Sequence, residues 1–296
     1  MPLAMYENIR QALSPDNFWI VTMGCLVGAS CGLLGNYLIF RRMAFIADAM
    51  SHSVLPGIVI AFLIAQTRSN TALFLGALGA AVLTMGLIHL VQFQNRIRSD
   101  TAIGIVFSTL FAVGIILITV FAHKIDLDQD CVLYGEIAFI GCEPKMRLLG
   151  DLSMPMPVLR MAIVFMASLI FIRAFYKELL IFSFDPMGAS LLCSRSSLIY
   201  YGLMFLVTLV VVCSFEAVGA ILVVGMMVLP GATAGLVSHR LPVILALSCL
   251  LPLSYSALGL YCAHVYDCSI SGAMIAVGLC LFLVTWGLRC LFWRKG

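Results

Sequence analysis

The sequence predicts an all-α, polytopic membrane helix bundle of eight or nine spans, and three observations carry that expectation. Hydrophobic residues make up 62% of the 296 and charged residues only 10%, whereas a soluble domain carries about a quarter charged residues. The mean hydropathy is +1.10. Apolar runs of about twenty residues, the length that crosses a bilayer core as a helix, recur along the whole chain. Residues 1–296 therefore read as a single transmembrane domain rather than as one or two soluble ones. A net charge of +3 gives no reason to expect nucleic acid as a partner, and the solvent this composition requires is membrane lipid.

The runs fall near 17–40, 42–67, 71–93, 101–121, 158–175, 197–215, 217–237, 241–260 and 270–290. GCLVGASCGLLG in the first and GALGAA in the third are small-residue stretches that let helix backbones approach closely. The fourth and fifth are separated by 122–157, the longest polar connection. The sixth and seventh form one apolar stretch interrupted only by Glu216, so a tight turn at SFEAVG is expected to divide them. Pro230 and Gly231 interrupt the seventh. A helix broken beside a transport path and a tolerated kink in a packed bundle both fit that pair. With these nine crossings, eleven of the seventeen Lys and Arg residues share one side, including Arg41, Arg42, Arg173, Lys177 and Arg240. The positive-inside tendency then puts the C-terminus in the cytoplasm and the N-terminus outside. The N-terminal stretch has no basic start followed by an apolar core, so no cleavable signal peptide is expected.

The eleven cysteines form no CxxC pair. Cys25, Cys31, Cys213, Cys249 and Cys280 lie in apolar runs, where cysteine acts as a small hydrophobe. Cys131, Cys142, Cys262 and Cys268 fall in expected loops, which leaves a disulfide on an oxidising side open.

Asp48 and His52 are the strongest chemical signal. They stand at i and i+4 inside AFIADAMSHSVLPGIVIAFLIA, so both project from one face of a helix. Ionisable groups at bilayer depth cost roughly 2.5–3.5 kcal/mol each and mark substrate or ion paths. Imidazole and carboxylate together suit a divalent transition metal. The alternative is that Asp48 bonds Ser51 or a neighbouring helix while His52 caps a backbone carbonyl. Further ligands must come from elsewhere, with His239 in GLVSHRL the best candidate and Glu216 a weaker one. His89 reads as a satisfied bundle histidine, and His123 and His264 as loop residues.

Two connecting segments carry other expectations. The outer loop holds Asp126, Asp128 and Asp130. These acids either raise the local cation concentration at a pore mouth or contact a carrier protein, or they are simply solvated. The inner segment YKELLIFSFDPMGASLLCSRSS mixes charged, aromatic and aliphatic residues, and Asp185-Pro186 is a helix-start signal for a short helix over 186–192. Such a helix would dock into a partner's groove or lie on lipid. No GxxxxGK[ST] phosphate loop is present, so nucleotide-driven work requires another polypeptide. The absence of HExxH and GxSxG motifs argues against a zinc protease or serine hydrolase.

In their order along the chain, five segments resemble the membrane permease subunit of bacterial ABC importers for manganese, zinc and iron. These are ADAMSHSVLPGIVIAFL, SDTAIGIVFSTLFAVGIIL, DLDQDCVLYGEI, YKELLIFSFDPMGA and VGAILVVGMMVLPGATA. The resemblance spans about residues 17–290. It departs from the family pattern at Ser53, where alanine is usual after SH, and at Gly231, which stands in a PAATA-type run. It implies a dimeric, type II-like permease in the bacterial plasma (inner) membrane, paired with an identical copy or a sister permease. It also implies cytoplasmic ATP-binding subunits that hydrolyse ATP, so that this chain is not itself an enzyme, and an extracytoplasmic metal-binding protein. By the same resemblance Asp48, His52 and His239 are metal ligands, and no permanent cofactor is expected because Mn2+, Fe2+ or Zn2+ is the substrate. Residues 176–196 then form the coupling segment, with Lys177, Glu178, Asp185, Pro186 and Met187 toward the ATPase. Glu216, Pro230 and Gly231 form a gate or helix break, and Asp126, Asp128 and Asp130 an external docking site. Two rival readings are an ion-coupled secondary metal transporter or channel, and an ABC permease for a metal chelate.

Overall fold

The fold comes from a computed structural model that describes residues 15–41, 43–66, 70–95, 98–121, 137–142, 145–147, 153–184 and 196–293. Its helices are α1 (Pro15–Phe40), α2 (Ile46–Ser53), α3 (Leu55–Ala65), α4 (Asn70–Asn95) and α5 (Ser99–Phe121). A 3-10 turn (Ile137–Cys142) and an antiparallel pair, β1 (Lys145–Arg147) with β2 (Ser153–Pro155), come next. The chain continues through α6 (Met156–Ala174), α7 (Tyr176–Phe184), α8 (Ser196–Val237), α9 (Leu241–Tyr266) and α10 (Ile270–Trp293). Among the described residues, nine helical stretches are long and apolar enough to cross a membrane. The second of them is made of α2 and α3, divided at Val54. Pro56 accounts for the division, because it has no N–H to donate to the carbonyl of His52.

α1 is the central post. It packs on α8 and α9, and α10 closes against both of those. Its glycines recur every fourth residue and face α9 in antiparallel order. A Cβ at Gly24 would meet Ser256, one at Gly28 would meet Pro252, and one at Gly32 would stand 2.8 Å from the Ser248 carbonyl. At Gly35 the carbonyl of Met227 occupies the space a side chain would need. The two small-residue runs thus do what the sequence predicts: α1 lies against α8 and α9 at backbone distance, and Gly76 and Ala80 of α4 receive Gly57 of α3 in the same way. A buried polar layer ties this core together. Asn36 Nδ2 donates to the Gly32 carbonyl at 2.7 Å and to Ser248 Oγ at 2.9 Å, and the Tyr255 hydroxyl donates to Thr233 Oγ1 at 3.2 Å.

Three local features differ from the sequence expectation. The forty-two-residue α8 runs helically through Pro230 and Gly231, so no helix break lies there. α8 is two helical spans joined at a kink in SFEAVG, where the sequence places a turn: Gly219 there has φ 79 and ψ 167, a conformation only glycine adopts without strain. Gly231 is instead seated on Asn36 of the polar layer. The eighth span continues to Tyr266 rather than ending near 260, and His264 is helical. It shares a 3.2 Å hydrogen bond with Asn17 Nδ2 of α1. Finally, the inner segment begins with an unanticipated helix, α7, whereas the helix expected over 186–192 lies outside the described residues.

The two ends of the bundle are distinguishable by contacts. At one, Arg41 lies over the Tyr200 ring at 4.7 Å, His89 packs beside Tyr200 and Tyr201, and Arg289 Nη1 donates to the Leu236 carbonyl at 3.3 Å. At the other are the Asn17–His264 bond and Ser271 Oγ, which donates to the Val218 carbonyl near Gly219. Cys262 and Cys268 are free thiols.

Candidate metal site

The site is built on α2, an eight-residue helix entered through a tight turn. Met43 N–H donates to the Leu38 carbonyl at 2.9 Å and Ile46 N–H to the Met43 carbonyl at 3.1 Å, folding the chain back from α1. Ile46, Ala47, Ala49, Met50, Ser51 and Ser53 are buried against α4, α5 and α8. Only the face carrying Asp48 and His52 is left partly open, with side-chain exposures of 43% and 32%. His52 Nε2 and Asp48 Oδ1 stand 3.6 Å apart, close enough to share a bound cation and too far for a hydrogen bond.

Neither side chain has a hydrogen-bond partner among the described residues. Ser51 Oγ donates to the Ala47 carbonyl at 2.9 Å, so it is not the partner of Asp48. His52 meets aromatic rings rather than a carbonyl: Phe107 and Phe111 of α5 lie at 5.7 and 5.6 Å between ring centroids. These two phenylalanines wall one side of the pair. The sequence shows them only as ordinary members of an apolar span.

The buried side of α2 is fastened by small polar contacts. Thr84 Oγ1 of α4 donates to Ser53 Oγ at 2.9 Å, and Thr208 of α8 reaches the Met50 sulfur at 3.7 Å. The Ser53 hydroxyl is thus what α4 grips. At the near end, the Arg41–Tyr200 stack joins the turn before α2 to the first turns of α8, and the Tyr201 hydroxyl lies 3.2 Å from His89 Nε2. His89 is thus a satisfied bundle histidine, as its sequence context predicts.

Other candidates lie apart from the pair. His239 is exposed in the bend between α8 and α9, and no group of three or more His, Cys, Asp or Glu gathers among the described residues. His239 therefore does not join Asp48 and His52 within this chain as arranged here. Glu216 lies on the helical backbone of α8 just before Gly219. Lys177 is exposed and Glu178 half-buried on the first turn of α7. Asp185, Pro186, Met187, Asp126, Asp128 and Asp130 lie outside the described residues.

Residues 16–288 match the ABC 3 transport family. The chain is 41% identical over 263 residues to the manganese transport system membrane protein MntD of Bacillus subtilis, covering 88% of each chain. It is 37% identical to the zinc transport system membrane protein TroD of Treponema pallidum, over 90% of this chain and 72% of that one. Among solved structures, a chain of PsaBC from Streptococcus pneumoniae in complex with Fab superposes with a TM-score of 0.76 at 30% identity, over 95% of both chains. A match over nearly the full length, on a nine-span bundle with an open carboxylate–imidazole pair, identifies the chain as a member of the ABC 3 transport family: a multi-pass ABC-transporter permease, and a transport component rather than an enzyme.

Proposed function

We propose that this chain carries bare divalent manganese or zinc inward across a bacterial plasma membrane, with Asp48 and His52 as ligands. The supporting observation is the 3.6 Å separation of Asp48 Oδ1 and His52 Nε2 on an otherwise buried helix. Two donors each about 2.0–2.2 Å from a tetrahedral ion stand about 3.4 Å apart, so the pair already has nearly the bite a metal needs. A bound cation keeps Asp48 ionised, and His52 coordinates as neutral imidazole. The names of MntD and TroD support manganese and zinc. Iron has no such support and is left out of the assignment.

Two ligands leave a shell incomplete, and the open face beside Phe107 and Phe111 is where a second permease, identical or sister, supplies the rest together with water. Energy comes from separate cytoplasmic ATP-binding subunits seated on the segment 176–196, with Lys177, Glu178, Asp185, Pro186 and Met187 as contacts. An extracytoplasmic metal-binding protein delivers the ion at the loop 122–157, where Asp126, Asp128 and Asp130 face it. The basic end of the bundle is cytoplasmic, which puts the N-terminus outside. A compact two-donor bite suits a bare ion better than a bulky chelate, and family membership favours ATP-driven import over an ion-coupled carrier.

The test is uptake of manganese and zinc by cells co-expressing the permease with its ATPase subunits and binding protein. Asp48→Ala and His52→Ala abolish uptake with membrane insertion unchanged. Normal uptake in both variants overturns the site.

A further inference from the structure

A second feature lies on helices that do not carry the metal pair. Between α1, α6 and α9 runs a groove of ≈ 850 Å³ whose walls include Leu33, Leu169, Ile172, Leu245 and Cys249. Arg173 is its single charged lining residue among the described residues, and Tyr176 lines it as well. The volume is within the range of sites for organic ligands of some size. Arg173 is exposed and has no hydrogen-bonding or acidic partner among the described residues.

Depth is what selects the occupant. Arg173 sits in the last turn of the span Met156–Ala174, where hydrocarbon gives way to lipid headgroups. From Pro242 to Cys249 the α9 wall descends about 10 Å into the apolar region. The end bearing Arg173 also carries Arg41, Arg240 and Arg289. A guanidinium at headgroup level above aliphatic walls complements a molecule with an anionic head and an aliphatic tail. Basic pockets between transmembrane helices on the cytoplasmic side hold phosphorylated headgroups in this way, and the guanidinium fork fits phosphate oxygens in pairs.

We propose that this groove binds one anionic phospholipid, its phosphate on Arg173 and an acyl chain along Leu169, Ile172 and Leu245. The lipid also touches Tyr176, the first residue of α7, across the non-helical link at Phe175 (φ −108, ψ 26). If α7 belongs to the coupling segment, the lipid braces the root of that segment.

Native mass spectrometry tests the site on the permease purified with its ATPase subunits and exposed to equal amounts of phosphatidylglycerol and phosphatidylcholine. Wild type retains phosphatidylglycerol preferentially, one per permease. Arg173→Gln lowers that preference about fivefold, the effect of roughly 1 kcal/mol per basic residue at a membrane surface, and Arg173→Lys keeps most of it. Ala246→Trp, which fills the groove from an exposed lining position, expels the lipid. An absence of anionic preference in wild type, an undiminished preference in Arg173→Gln, or a lipid retained by Ala246→Trp overturns the proposal. Retention is read without metal or ATP, so failure here and failure of the metal assignment are distinguishable.

Discussion

The span of α1 is less hydropathic than that of α5, 1.8 against 2.6, yet 67% of the first is buried and only 17% of the second. α1 is wedged between α8 and α9 on glycines, with Asn36 and Ser248 paired inside. α5 leans on α2 and α4 and turns most of its surface outward. The metal pair lies on the α5 side, beside Phe107 and Phe111. Close packing is therefore concentrated in one half of the bundle and the metal pair in the other, whose open surface leaves room for a second chain. A strong ligand site inside the glycine-packed half would have no such room.

The contrast is tested most severely at the ligands. Asp48→Ala or His52→Ala lowers manganese or zinc uptake at least about 100-fold, the upper end of the loss seen when even indirect supports of a metal site are removed. Thermal melting in detergent stays near wild type, because both side chains are partly exposed. Packing variants behave in the opposite way. Gly35→Ala forces a methyl group onto the Met227 carbonyl and costs about 1–3 kcal/mol of stability, read as a lowered melting temperature. Gly86→Ala, in the open half with nothing within 4 Å, changes stability by no more than about 1 kcal/mol, in the stabilising direction. Equal melting shifts for the two would erase the distinction between the halves. Gly219→Ala sharpens it at the kink, costing about 1–3 kcal/mol for its backbone conformation. The smallest effect is at Thr84→Val, which removes the bond to Ser53 and costs about 0.6 kcal/mol, the average for such bonds in membranes.

Hydropathy makes the nine spans legible in the sequence, because crossing a bilayer is a demand on length and polarity that each segment meets alone. The Asp48–His52 pair is legible for the same reason: i and i+4 on one helix need no tertiary knowledge. What stays hidden depends on neighbours. Pro230 looks like a break, yet its stretch stays helical against α1, and within the SFEAVG segment expected to turn, only the structure assigns the turn to Gly219. His264 looks like a loop residue until Asn17, 247 positions away, is folded against it. The aromatic wall of Phe107 and Phe111, the Thr84–Ser53 clasp and the groove beneath Arg173 each need two or three helices brought together, which no local pattern encodes.

Anomalous scattering at the manganese edge, from crystals of the assembled transporter grown with the ion, tests the central claim most directly. A peak is expected within about 2.2 Å of both Asp48 Oδ1 and His52 Nε2, lost in Asp48→Ala. A fully occupied manganese peak elsewhere in the membrane region, with none at this pair, would contradict it.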